Sequence, residues 1–111
     1  MDEELHELIR ETVRAIPEGR VATYGDVAKL SRAPSARLVG QVLNQDGHDL
    51  PWHRVLKADG TCAPHIAEEQ LQRLRSEGVV DGAGKVNLRT YRWEDAVDEP
   101  EPEPEPQGGL W

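Results

Sequence analysis

The chain has no Phe and a single cysteine, Cys62, among its 111 residues. One thiol excludes an internal disulfide framework and a zinc site built on several cysteines. No stretch approaches the roughly 20 apolar residues of a membrane span, and no signal peptide is expected. These absences predict a cytoplasmic protein with no metal centre. Apolar residues make up 37% and aromatics 5%, so one modest core of aliphatic side chains is expected within a single domain.

Basic residues are scarce overall, with 13 Lys and Arg against 21 Asp and Glu. The imbalance is local. The stretch "EDAVDEPEPEPEPQGGLW", residues 94–111, holds seven acids and no Lys or Arg. Its Glu-Pro repeat buries no apolar surface and removes backbone donors, so 94–111 is expected to be a disordered, extended tail that is a solvated solubility tail, a partner handle or a repellent of DNA. Residues 1–93 are then nearly neutral. Within 20–57, six basic groups (Arg20, Lys29, Arg32, Arg37, Arg54, Lys57) face three acids (Asp26, Asp46, Asp49). The acidic whole-chain balance therefore does not exclude a nucleic-acid partner.

Periodicity organises the rest. "DEELHELIRETVRAIPEG" carries Leu5, Leu8, Ile9, Val13 and Ile16 at helical spacing and stops at Pro17 and Gly19. Thr23 is placed to cap a short helix through Leu30, and Ser35 to cap a second one to about Gln45. Two short helices with a tight break predict a mainly α, helix-turn-helix or winged-helix-like DNA-binding domain with a few short strands. "VLKADGT" reads as a strand entering an Asp-Gly turn, and "IAEEQLQRLRSEGV" as a helix ended by Gly78. "GKVNLRTYRW" reads as a final extended segment, with a possible hairpin to Val79-Val80. The second helix presents Arg37, Gln41, Asn44 and Gln45 on a polar face that includes Gly40. A helix-interior Gly costs about 1 kcal/mol relative to Ala, which suits a close approach of the backbone to a partner.

"PWHRV", residues 51–55, poses the chemical question. A His that can pair with a carboxylate, here Glu77, is suited to taking a proton from a nucleophile. The adjacent position holds Trp52, whose indole has one donor, no acceptor and no useful nucleophilicity. The loop can offer an aromatic wall but no covalent chemistry at residue 52. The bland alternative is that Trp52 is core and that His53 and Arg54 make structural hydrogen bonds.

The blocks "PEGRVATYGDVAKL", "SARLVGQVLNQ", "PWHRV" and "LRSEGV" occur in an order and spacing that resembles the C-terminal domain of O6-alkylguanine-DNA alkyltransferases. Those repair proteins carry Pro-Cys-His-Arg-Val at the reactive loop. Trp in place of that Cys, with the ending "VNLRTYRW", looks like the alkyltransferase-like proteins. The resemblance spans residues 3–93. It implies non-enzymatic recognition of O6-alkylguanine in double-stranded DNA by flipping the base through the minor groove, and presentation of the lesion to nucleotide excision repair proteins. It implies a monomer and no cofactor. By position, Arg37 is the finger that fills the vacated stack, Tyr24 crowds the 3′ phosphate, Gly40 permits close approach and Asn44 braces the loop. Trp52 forms the pocket wall, and main-chain groups around Val55 and Leu56 read the base edge. His53, Arg54 and Glu77 form a relay left without its thiol. The family's Tyr-Ser-Gly-Gly-like lid is replaced by "TCAPHIAEE", which predicts a more open pocket with Ala63, Pro64 and His65 as lid candidates. Two rival readings are an ordinary sequence-specific helix-turn-helix regulator and an alkyltransferase using Cys62.

Overall fold

The computed structural model describes residues 3–80 and 84–96. Helix α1 spans Glu3–Arg14, with Glu3 and Glu4 in its first turn and Ile9 and Val13 fully buried. Acids at that end oppose the positive pole of the helix dipole. Ile16 joins the buried stripe and Leu5 packs against it half-buried, whereas Leu8, expected with them, lies 42% exposed.

A two-residue strand, β1 (Ala22–Thr23), leads directly into α2 (Tyr24–Ser31). Thr23 is the expected cap. Its hydroxyl accepts from the Asp26 N–H and the Asp26 carboxylate accepts from the Thr23 N–H, both at 3.0 Å. This reciprocal box satisfies two donors that a bare helix end leaves unpaired. Arg32, in the left-handed region with φ 64°, ends the helix. Ser35 then caps α3 (Ala36–Asp46) by accepting from the Leu38 N–H. Gly47 ends α3, and a Cβ there would lie 2.6 Å from the Leu43 carbonyl oxygen, so only glycine fits.

The three helices pack together through Ile9, Val13, Ile16, Val27, Val39 and Val42, with Leu50 and Val55 completing the cluster. After a 3-10 turn at Trp52–Arg54, β2 (Val55–Leu56) pairs in parallel with β1, Ala22 against Val55 and Thr23 against Leu56. Parallel pairing requires a long crossover, and α2 and α3 supply it. The predicted strand is thus shorter than "VLKADGT". The turn after it forms as expected, with Asp59 accepting from the Thr61 N–H and hydroxyl.

Helix α4 (Ala67–Ser76) buries Gln70 and Leu74 and stops before Gly78, which has φ 77°. Leu74 joins Val21, Leu56, Val79 and Val86 in a second cluster on the other side of the strands. Val80 and Val86 form an antiparallel bridge, consistent with the expected hairpin. The expected final extended segment is corrected, because Asn87 accepts from the Arg89 N–H and starts a helical turn, α5 (Leu88–Tyr91). The chain becomes extended only afterwards, where Trp93 N–H donates to the Val21 carbonyl at 2.7 Å and Val21 N–H to Tyr91.

Arg92 there grips the buried carboxylate of Asp26 through Nε at 2.9 Å and through Nη2. Order also continues past the expected boundary at residue 93, because Glu94–Ala96 form a 3-10 turn and Ala96 is buried. The rest of the predicted tail, 97–111, lies outside the described residues.

Asp26 thus joins the cap of α2 to the returning C-terminal segment. Replacing it with Ala strips the cap and leaves Arg92 unpaired. The expected cost is about 3 kcal/mol, the lower end for breaking a buried pair because Arg92 is partly solvated. Urea unfolding of Asp26→Ala against wild type measures it.

Candidate nucleic-acid interface

The site is built upward from one carboxylate. Glu77, at the end of α4, has a side chain 8% exposed. Its Oε2 accepts from His53 Nε2 at 2.7 Å and from Arg54 Nη2 at 2.8 Å, and Arg54 Nε lies 3.1 Å from both oxygens. The Gly19 N–H donates to Oε1 at 3.0 Å, and Arg54 Nη1 donates to the Ile16 carbonyl. Burial alone raises the carboxyl pKa. The Arg54, His53 and Gly19 donors together outweigh it and hold Glu77 down at about 2. An ionised carboxylate can only accept, so His53 Nε2 carries the hydrogen of this bond. His53 Nδ1 is buried with no partner among the described residues.

This cluster fixes the loop. Gln70, 1% exposed, donates to the carbonyls of His53 and Val55 at 3.0 and 2.8 Å. Trp52 is thereby turned outward from an anchored base. The His53 ring meets the indole edge-on, centroids 6.3 Å apart at 88°. The Arg73 guanidinium lies over the indole, 5.3 Å from its centroid, and pairs with Glu69 at 2.9 Å.

The indole is one wall of an open cavity of about 570 Å³ between α2, α3, the loop and α4. Tyr24, Arg37, Gly40, Asn44 and Trp52 all line it. Five positions spread over 29 residues of sequence therefore converge on one depression. Tyr24 occupies the first residue of α2, and burial raises its phenol pKa, with Cys62 adding a smaller push in the same direction. Arg37, exposed in the first turn of α3, has no hydrogen bond or ion pair among the described residues. A Cβ on Gly40 would lie 4.0 Å from the Tyr24 ring, an ordinary contact, so the protein itself does not require glycine there.

The chain matches the family described as 6-O-methylguanine DNA methyltransferase, DNA binding domain, over residues 4–79. It belongs to that family. Among named relatives, the DNA base-flipping protein of Escherichia coli (strain K12) is 51% identical over 88 residues, 73% of this chain and 67% of that protein. Alkyltransferase-like protein 1 of Schizosaccharomyces pombe is 39% identical over 105 residues, 83% of this chain and 96% of that one. A crystal structure of S. pombe Atl1 in complex with damaged DNA containing O6-carboxymethylguanine superposes with a TM-score of 0.73 at 32% identity, covering 85% of this chain and 98% of that one. The chain is thus an alkyltransferase-like member of the family.

For a protein of this family the sequence expectations divide cleanly. Val55 and Leu56 do not line the cavity. Both are fully buried in β2, and the Val55 carbonyl is engaged by Gln70. Of the lid candidates, His65 lines the cavity and Ala63 and Pro64 do not. Cys62 also lies off the lining, and burial raises its thiol pKa, which lowers its thiolate content. Among the described residues no group of three or more metal-ligating side chains occurs, and no helix is long and apolar enough to cross a membrane. Sequence reasoning missed Glu69 and Arg73. Their signal was the helical period of α4: with Gln70 and Leu74 inward, 69 and 73 flank that face one turn apart.

The depressed Glu77 value predicts an acid-sensitive tie. Its contribution is complete above the ordinary carboxyl value of 4.5 and is lost as the pH falls through about 2. Glu77→Gln is expected to cost about 3 kcal/mol at neutral pH and to flatten the loss of stability across that acid window. Denaturant titrations of both proteins from pH 6 to pH 2 provide the check; parallel profiles would contradict the assignment.

Proposed function

We propose that this protein binds double-stranded DNA at O6-alkylguanine, draws the damaged nucleotide out through the minor groove and holds it in the cavity without transferring the alkyl group. The convergence of Tyr24, Arg37, Gly40, Asn44 and Trp52 on one cavity is the observation that carries this reading. In this reading Arg37 enters the stack behind the departing nucleotide. Its guanidinium is planar and has no partner among the described residues, and it can hydrogen-bond to the orphaned base as Lys cannot. Tyr24 crowds the 3′ phosphate, and burial raises its phenol pKa. Asn44 braces the loop, and Trp52 receives the alkyl group as an apolar wall that offers no nucleophile. His53, Arg54 and Glu77 hold the loop and leave chemistry out. The bound complex is a mark for nucleotide excision repair proteins.

Magnitudes favour a sensor of damage over a reader of sequence. Flipping costs a few kcal/mol, least for a weakly paired base, and O6-alkylation removes the N1 proton on which guanine pairing relies. Burying one methyl adds about 0.8 kcal/mol. Together these give about 1–3 kcal/mol, roughly 5- to 150-fold preference over guanine. The Schizosaccharomyces pombe relative crystallised on O6-carboxymethylguanine DNA supports the same lesion class. A helix-turn-helix regulator has no use for a cavity beside its second helix. A Cys62 transferase would need a thiolate that burial disfavours.

The test is a titration of matched duplexes that differ by one O6-methylguanine. Arg37→Ala and Tyr24→Ala are expected to weaken damaged-duplex binding at least tenfold. Gly40→Ala gives the sharper result. The folded protein should gain about 0.5–1 kcal/mol, while affinity for the lesion should fall because a methyl group now meets the DNA backbone. Unchanged affinity in all three variants would remove the flipping mechanism.

A further inference from the structure

Two features of the cavity have no role in the reading above: the guanidinium lying over the indole, and the acid that holds it. Arg73 sits 5.3 Å from the centroid of the Trp52 ring and pairs with Glu69 at 2.9 Å. Glu69 is the one carboxylate among the cavity-lining residues, against two guanidiniums, Arg37 and Arg73. The Glu69 and Arg73 side chains are 60% and 49% exposed. An i, i+4 pair so exposed is worth roughly a twofold bias in its favour, so Glu69 is readily displaced from Arg73.

We propose that Arg73 makes this cavity selective for O6-guanine adducts that end in a carboxylate over neutral adducts of the same size. The inference rests on the proposed function, which sets the alkyl group against Trp52. A group leaving the guanine O6 along the indole then runs toward the guanidinium over the same ring. Stacking on the indole orients the fork of N–H donors. An adduct carboxylate takes the place that the Glu69 carboxylate holds in the free protein, exchanging a solvent-exposed pair for one flanked by indole and base. Charge-assisted, bidentate pairing of this kind is the stronger type. Discounted for the half-exposed guanidinium, the expected preference is about fivefold. A neutral adduct leaves the Glu69–Arg73 pair in place and gains nothing from it.

The experiment measures, for each protein, the ratio of affinities for two duplexes that carry O6-carboxymethylguanine or its neutral isostere O6-carbamoylmethylguanine. Wild type is expected to favour the acid about fivefold, and less so at high salt. Arg73→Gln should bring the ratio near one, and Glu69→Gln, which removes the competing carboxylate, should raise it above the wild-type value. A wild-type ratio of one overturns the proposal, as does a Glu69→Gln ratio equal to or below wild type, or an Arg73→Gln ratio that stays at the wild-type value. An O6-methylguanine duplex against plain guanine is run in parallel. Loss of that discrimination in wild type would defeat the proposed function itself, whereas discrimination with an acid-to-amide ratio of one defeats only the role of Arg73.

Discussion

The geometry of this protein depends on one buried carboxylate with too many donors around it to be anything but charged. Glu77 gathers His53, Arg54 and the Gly19 N–H, and Arg54 passes the connection on to the end of the first helix. Three parts of the chain far apart in sequence, around residues 16–19, 53–54 and 77, are thereby tied at one point. Removing the carboxylate would leave a guanidinium and an imidazole facing a partly apolar interior, and the loop between them would lose its anchor. The tie keeps Trp52 at a fixed place and tilt. An aromatic wall on a mobile loop would lose in ordering entropy much of what stacking gains.

Seen from the cavity, the same cluster fits the recognition role proposed for this member of a methyltransferase family. Proton-transfer machinery needs a nucleophile at its end, and residue 52 supplies an indole. In the proposed function the His–carboxylate pair serves only to hold the loop. The apolar face that replaces a reactive atom adds contact area, and it is also the surface on which Arg73 rests. In the proposed reading, a wall without a nucleophile and a seat for the stacked cation are supplied by the same residue, Trp52. Cys62 does not line the cavity and is half-buried.

Much of this was legible in the residues. Thr23 and Ser35 announce two helix starts because their side chains satisfy donors that a helix end leaves open, and both act as read. The identity of the loop followed from five residues in a row, together with the "VATYG" and "ARLVG" blocks upstream. The failures share a cause. Strands of two residues carry no period, so the parallel pairing of β1 and β2 was invisible, and the strand read into "VLKADGT" was too long. The short helical turn at Leu88–Tyr91 depends on a side-chain cap from Asn87 that competes with an extended pattern of Val86 and Leu88. Val55 and Leu56, whose main-chain groups are expected at the base edge, lie in β2, and their pairing with β1 has no local signal either. The stack of Arg73 on Trp52 links residues 21 apart and needs the docking of α4, which no local pattern encodes.

The central claim is that the pocket grips an alkylated guanine and leaves it unaltered. Its most direct test is to incubate the pure protein in excess with an O6-methylguanine duplex, separate the two, and weigh both by mass spectrometry. The account predicts DNA that still carries its methyl group and a protein of unchanged mass. Guanine restored in the DNA, with a methyl group found on Cys62 or any other side chain, would contradict it.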